Sequence, residues 1–226
     1  MKHLIETANP SGLTKVDYDR IVLDSTKNDV IVRGGYEYVD LGLPSGLKWA
    51  KCNVGAEKES DYGYYFQWGS TSPNTANECT WANAPFNGRA NDYNSTYFNE
   101  VKDTVCPNGI LAKKYDAAAQ IMGGDWRMPT NIEFQELCNN TTQSWVTING
   151  VNGRKFTGPN GNSIFIPAAG GCGDGSTYEV GDYGNVWSSS LVTSGRNAFH
   201  LYFGSNFSDV YNTYRYYGKS VRGVRN

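Results

Sequence analysis

The chain has 226 residues, enough to bury most of its apolar surface as one domain, or one domain with an appendage, without covalent staples. Its 20 basic and 22 acidic residues are dispersed and sum to -2, so no field gathers nucleic acid or an anionic membrane, and no apolar run approaches the ~20 residues of a bilayer span. High Gly (26) and Tyr (16) with only 19% charged residues describe a loop-rich, aromatic fold of short strands. Cys52, Cys79, Cys106, Cys138 and Cys172 are odd in number, widely spaced and free of any C-x-x-C pair, and they read as buried reduced thiols.

Residues 1–35 read as a small β extension or attachment arm, with short apolar pairs such as Ile21-Val22 broken by Asp, Asn and Lys and ending at Gly34-Gly35. Residues 36–41 alternate as a strand, Pro44-Ser45-Gly46 is a turn, and residues 47–50 complete a hairpin. Residues 70–108 show no sustained period and predict a long irregular insertion packed by Trp81, Phe86, Tyr93, Tyr97 and Phe98. A first helix is predicted over residues 110–122, where Ile110, Leu111, Tyr115, Ala118 and Met122 recur at helical spacing and Gly123-Gly124 stops it. The second helix begins at Thr130 in a Thr-x-x-Glu capping box with Glu133, buries Ile132, Phe134 and Leu137, and ends near Asn139-Asn140.

Residues 145–147, 154–157, 163–167, 186–189, 198–203 and 220–225 then read as short strands between Gly, Asn and Pro turns. Helices between a leading hairpin and a trailing run of strands give an α+β fold with two helices, short antiparallel strands and long irregular loops. In residues 199–204 the two-residue period places Phe199, Leu201 and Phe203 on a core face and His200, Tyr202 and Gly204 on a display face. The stretch that follows, residues 206–217, has the composition of an antibody paratope, rigid Tyr beside small adaptable polar residues. The expected contact set is His200, Tyr202, Gly204, Phe207, Asp209, Tyr211, Asn212, Thr213, Tyr214, Tyr216 and Tyr217.

The block Gly123-Gly124-Asp125-Trp126-Arg127-Met128-Pro129-Thr130-Asn131-Ile132-Glu133-Phe134-Gln135-Glu136-Leu137 resembles the G-x-W-R-(L/M)-P-T-x-x-E-(F/W) signature of formylglycine-generating enzymes and their relatives with a C-type-lectin-like fold. Around it, Val39-Asp40-Leu41-Gly42-Leu43-Pro44-Ser45-Gly46-Leu47-Lys48-Trp49-Ala50, Asp61-Tyr62-Gly63-Tyr64-Tyr65-Phe66-Gln67-Trp68-Gly69, Phe165-Ile166-Pro167-Ala168-Ala169-Gly170, Trp187-Ser188-Ser189-Ser190 and Ser220-Val221-Arg222 resemble the major paralogous (FISUMP) domain of gut bacteria, over about residues 36–226. The same scaffold carries the variable proteins of diversity-generating retroelements, in which an error-prone reverse transcriptase randomises adenines in a C-terminal coding segment. The resemblance implies that AAY codons there, once their adenines are randomised, yield Tyr, Asp, Ser, His, Thr, Gly, Phe or Val, and His200, Tyr202, Gly204, Phe207, Asp209, Tyr211, Thr213, Tyr214, Tyr216 and Tyr217 fall in that set. It places the variable segment at about residues 185–217.

Catalysis is weighed against this. The formylglycine-generating family uses two closely spaced cysteines near its C-terminal end to hold copper; here none follows Cys172, and the last two, Cys138 and Cys172, lie on different elements. Only His3 and His200 are available for a hydrolytic base. Asp174, Glu179 and Asp182 suggest either a calcium loop or a solvated acidic turn, and their spacing fits no calcium motif. Arg127 and Arg222 read either as a ligand clamp or as buried charge-assisted ties. Trp49, Trp68, Trp126 and Trp187 are expected in the core, with Trp81 and Trp145 open. The expectation is a non-catalytic receptor-recognition protein with no cofactor and no metal, binding a protein or glycan on a cell surface, with residues 1–35 able to attach or oligomerise it. The alternatives are an unvaried FISUMP-type adhesin or carbohydrate-binding domain and, remotely, a formylglycine-generating-type oxidase. The N-terminus lacks a signal peptide, which points to a phage virion or display through another subunit, otherwise the cytoplasm.

Overall fold

The computed structural model describes residues 36–86 and 96–226; the expected arm over residues 1–35, with His3, and the side chains of Tyr93 and Tyr97 lie outside the described residues. The architecture is α+β, mostly antiparallel, with three α-helices among the described residues. No described helix is long and apolar enough to cross a membrane.

The predicted hairpin forms β1 (Tyr38–Asp40) and β2 (Lys48–Asn53), paired Tyr38 to Ala50 and Asp40 to Lys48 across a turn closed by Gly46 N–H donating to Leu43 O at 2.9 Å. The two-residue strand β3 (Phe66–Gln67) follows. Helix α1 (Thr96–Val105) occupies part of the stretch expected to be irregular. Phe98, Val101 and Val105 supply its inward stripe, a spacing that the surrounding Asn and Thr disguise in the sequence. The helix expected over residues 110–122 is only its last half, α2 (Ala117–Met122). Ile110 pairs with Ser190 instead, Leu111 N–H donates to Ser189 O, and Asp116 restarts the chain as a helix by accepting from Ala119 N–H at 2.9 Å. Gly123 ends it, as expected, with its N–H donating to Ala119 O and φ at 72°.

Helix α3 (Asn131–Asn139) has the full capping box, with Glu133 N–H donating to Thr130 Oγ1 at 3.2 Å and Thr130 N–H donating to Glu133 Oε2 at 2.7 Å. Phe134 and Leu137 are buried, but Ile132 is 74% exposed, a correction to the expected stripe. Two residues turn a helix about 200°, so Ile132 and Phe134 face opposite ways.

Strands β4 (Thr142–Ile148), β5 (Val151–Thr157) and β6 (Ser163–Pro167) form one meander. The hairpin of β7 (Gly171–Gly173) and β8 (Ser176–Tyr178) follows, then β9 (Gly184–Leu191), β10 (Asn197–Phe203) and β11 (Ser208–Tyr214), which pair in that order. Strand β12 (Gly218–Lys219) joins β3 to β7, and β13 (Arg222–Arg225) joins β2, so the last strand closes on the first hairpin. At Gly184 a Cβ would lie 1.9 Å from the Phe203 ring, so only glycine lets β9 pass this close to β10.

The β9–β10–β11 sheet is covered on both faces. Val186, Leu201 and Phe203 pack with Trp49, Phe134, Phe156 and Ile164, whereas Trp187 and Ala198 pack with Trp68, Phe98 and Trp126. Trp49, Trp68, Trp126 and Trp187 are therefore core, Trp81 is buried, and Trp145 is half-buried. Phe199, expected inside, is half-exposed because the register of β10 against β9 breaks between Ala198 and His200, where the Phe199 carbonyl accepts from the Ser188 hydroxyl. Arg222 is wholly buried and donates to Asn53 Oδ1 and to the carbonyls of Ala50, Lys51 and Phe165, a charge-assisted tie of the expected kind. Arg127 is half-buried and grips Glu133 with two bonds at 2.8 and 2.6 Å. All five cysteines are free thiols: Cys79, Cys106 and Cys172 are buried, Cys52 and Cys138 half-buried, and the Cys79 and Cys172 sulfurs lie 2.8 Å apart.

Candidate functional site

A cleft of about 580 Å³ opens where the β9–β10–β11 sheet meets the β7–β8 hairpin and β12. Alternation in β10 and β11 brings Tyr202, Tyr211 and Thr213 to one wall, with Asn212 beside them. The β7–β8 hairpin and the turn after it supply Asp174, Ser176, Tyr178 and Glu179 opposite. Asp174 and Glu179 both have left-handed backbone, φ 51° and 60°, a conformation that costs a non-glycine residue energy and recurs at binding sites.

The base is made by Asn185, His200 and Lys219, which the sequence reading of the cleft missed apart from His200. A parallel bridge between Val186 and Ser220 sets Asn185 beside Lys219, whose ammonium donates to Asn185 Oδ1 at 2.8 Å and lies 5.2 Å from the Trp187 ring centre. Asn185 donates in turn to Glu179 Oε2, and the Tyr202 hydroxyl donates to Glu179 Oε1, each at 3.1 Å. Burial pushes the Lys219 ammonium down to about 7, against the opposing pull of Glu179. Burial, and then the Lys219 charge, hold His200 well below its ordinary value, so the ring stays neutral at pH 7. Burial and the Glu179 carboxylate keep Tyr202 protonated.

Of the eleven expected contact residues, His200, Tyr202, Tyr211, Asn212, Thr213 and Tyr217 line this cleft. Tyr211 is 49% exposed and Tyr214 is 38% exposed, while Asp209 and Asn212 are also open. Three expectations are corrected. His200 is only 4% exposed, because Trp187 and Lys219 cover the face of β10 that alternation assigned to solvent. Tyr216 is 6% exposed, packed on Trp81 and Ala84 with its hydroxyl donating to Asp174 Oδ2 at 3.0 Å. Gly204 is buried, its carbonyl accepting from Arg154 Nη1 and its α-carbon backed by Tyr183.

The remaining positions flank the cleft. Phe207 packs edge-on to Tyr202, centroids 5.3 Å apart, and Tyr214 stacks on Tyr216 with the Arg196 guanidinium 5.0 Å from its ring. Asp174 and Glu179, read from sequence as solvated or calcium-binding, face the cleft across from the tyrosines. Among the described residues no group of three or more His, Cys, Asp or Glu is placed to hold a metal ion. The arrangement offers aromatic faces, two carboxylates and small hydroxyl and amide groups to whatever enters. Comparison with known proteins yields no matching family model, no matching curated protein and no matching solved structure.

Proposed function

We propose that this chain is a non-catalytic recognition domain on a C-type-lectin-like scaffold, whose C-terminal face, about residues 185–217, is diversified by a retroelement to bind a protein or glycan on a cell surface. The observation that carries the reading is the placement of Tyr202, Tyr211, Asn212 and Thr213 on one cleft, above strands whose other face buries Leu201 and Phe203. A side chain held on a packed strand but facing open space can change at little cost to folding. Tyrosine there gives large contact area with few rotors, and Asn and Thr adapt their hydrogen bonds. The motif residues of the resemblance support the scaffold, since Trp49, Trp126, Trp187 and Arg222 all lie buried.

The burial of His200, Gly204 and Tyr216 favours a second reading, because three positions counted as rewritable are fixed by packing. In that reading the domain is an unvaried FISUMP-type adhesin using the same cleft. Sequencing the surrounding genome separates the two. A template repeat differing from codons 185–217 mainly at adenines, beside a reverse transcriptase gene, is the expected result; a locus with neither leaves the adhesin.

A further inference from the structure

We propose that the cleft takes an N–H-bearing cation, an ammonium or guanidinium group on an apolar stem such as a lysine or arginine side chain presented by a protein surface. The inference rests on the cleft being the recognition site and adds the chemistry of what enters it. Two edge-to-face ring pairs stand on its walls: Tyr202 with Tyr211, centroids 5.7 Å apart at 90°, and Tyr178 with Tyr217, 5.8 Å apart at 79°. Each pair sets one ring's edge against the other's face, and Tyr183 stacks on Tyr202 while Tyr216 lies against Tyr217, so a cation meets the faces turned to the cleft, whose quadrupoles attract it. Asp174 and Glu179 add negative charge, and neither belongs to a salt bridge among the described residues. Their hydrogen-bond donors are the neutral Tyr216 and Tyr202 hydroxyls and the Asn185 amide.

A separate observation asks for a donor. His200 lines the base of the cleft, is 4% exposed, and its Nδ1 has no hydrogen-bond partner. On a neutral ring whose other hydrogen bond goes to the Tyr211 backbone, that nitrogen is an unmet acceptor closed off from solvent, so a ligand N–H meets it when the ring shifts toward the cleft. Among the described residues that line the cleft Lys219 is the one cation, and it is enclosed, bonded to Asn185 and set against the Trp187 ring with Tyr217 6.0 Å away, so the groups open to a ligand are rings and acceptors. A quaternary ammonium satisfies the rings and carboxylates but not His200, and an anion satisfies none of the three.

The test is calorimetric titration of the full chain with N-acetylarginine amide, N-acetyllysine amide, tetramethylammonium, N-acetylglucosamine and inorganic phosphate. Saturable binding by the arginine and lysine probes is expected, with tetramethylammonium about tenfold weaker because it carries no N–H. Asp174→Asn, at an exposed position, and Tyr211→Ala should each weaken the arginine probe about tenfold while the far-ultraviolet circular dichroism is unchanged. No saturable binding by either N–H cation, or tetramethylammonium binding as tightly, overturns the proposal. If the sugar or phosphate saturates the cleft and the cations do not, the cation chemistry is wrong while recognition through this cleft stands. If both N–H cations bind but neither variant weakens them, they bind elsewhere and the proposal is equally lost.

Discussion

Replacing Lys219 by Met should reverse the sign of its effect on stability between neutral and alkaline pH. The Lys219 ammonium is fully enclosed and titrates at about 7, against an ordinary 10.5 in the unfolded chain. Between those values the unfolded chain holds the extra proton, so stability rises with pH through the window and, for this group, is flat below it. At about 1.4 kcal/mol per tenfold, the gap amounts to about 5 kcal/mol of destabilisation at and below neutral pH, gone near pH 10.5. The Met side chain removes that penalty but leaves Asn185 Oδ1 without its donor, at about 1–3 kcal/mol. Lys219→Met should therefore be the more stable protein by about 2–4 kcal/mol near pH 7 and the less stable one above about pH 10. Urea unfolding followed by tryptophan fluorescence at a series of pH values measures the difference, in which groups common to both proteins cancel. A gap between the two proteins that stays constant from pH 7 to pH 10 would refute the assignment of an enclosed, displaced ammonium to Lys219.

Arg222→Met removes the donor to Asn53 Oδ1 and to three carbonyls inside the protein, so urea unfolding should show a loss of about 4 kcal/mol, and a loss under about 1 kcal/mol would contradict the buried tie. Gly184→Ala forces a methyl group into the Phe203 ring and should cost about 2–3 kcal/mol by thermal or urea unfolding; an unchanged midpoint would mean β9 does not approach β10 as described. Thr130→Ala should lose about 1 kcal/mol, and Thr130→Ser should recover most of it, since the hydroxyl is what caps α3; equal losses in both would point to packing instead.

Features written in short stretches of sequence were legible. The capping box at Thr130 and Glu133, the Gly123 stop, the first hairpin and four buried tryptophans all follow from residues within a few positions of one another. What failed depended on partners distant in the chain. Leu111 keeps helical spacing with Tyr115 but its N–H donates to Ser189 O, and Ile110 pairs with Ser190, so the helix could begin only at Asp116. Alternation put His200 opposite Leu201 correctly, yet said nothing of what covers its side of the sheet; Trp187 and Lys219, from β9 and β12, do so. Tyr216 is likewise claimed by Trp81, far upstream. The tyrosine-rich wall of the cleft was visible as composition, whereas its counterpart, Glu179 with Asn185 and Lys219, exists only once a parallel bridge sets β9 beside the residues that follow β12.

The claim that recognition can be rewritten on an unchanged architecture is tested most directly by randomising two sets of positions and measuring stability alongside ligand capture. One set is Asp209, Tyr211, Asn212, Thr213 and Tyr214, open or half-open on β11; the other is Ala198, Leu201 and Phe203, buried on β10. Substitutions in the first set should change unfolding free energy by no more than about 0.5 kcal/mol each while altering which ligands are captured, and truncations of Leu201 and Phe203 in the second should cost about 2–5 kcal/mol. If changes on β11 unfold the domain as readily as changes at Leu201 and Phe203, or leave ligand capture untouched, the account is contradicted.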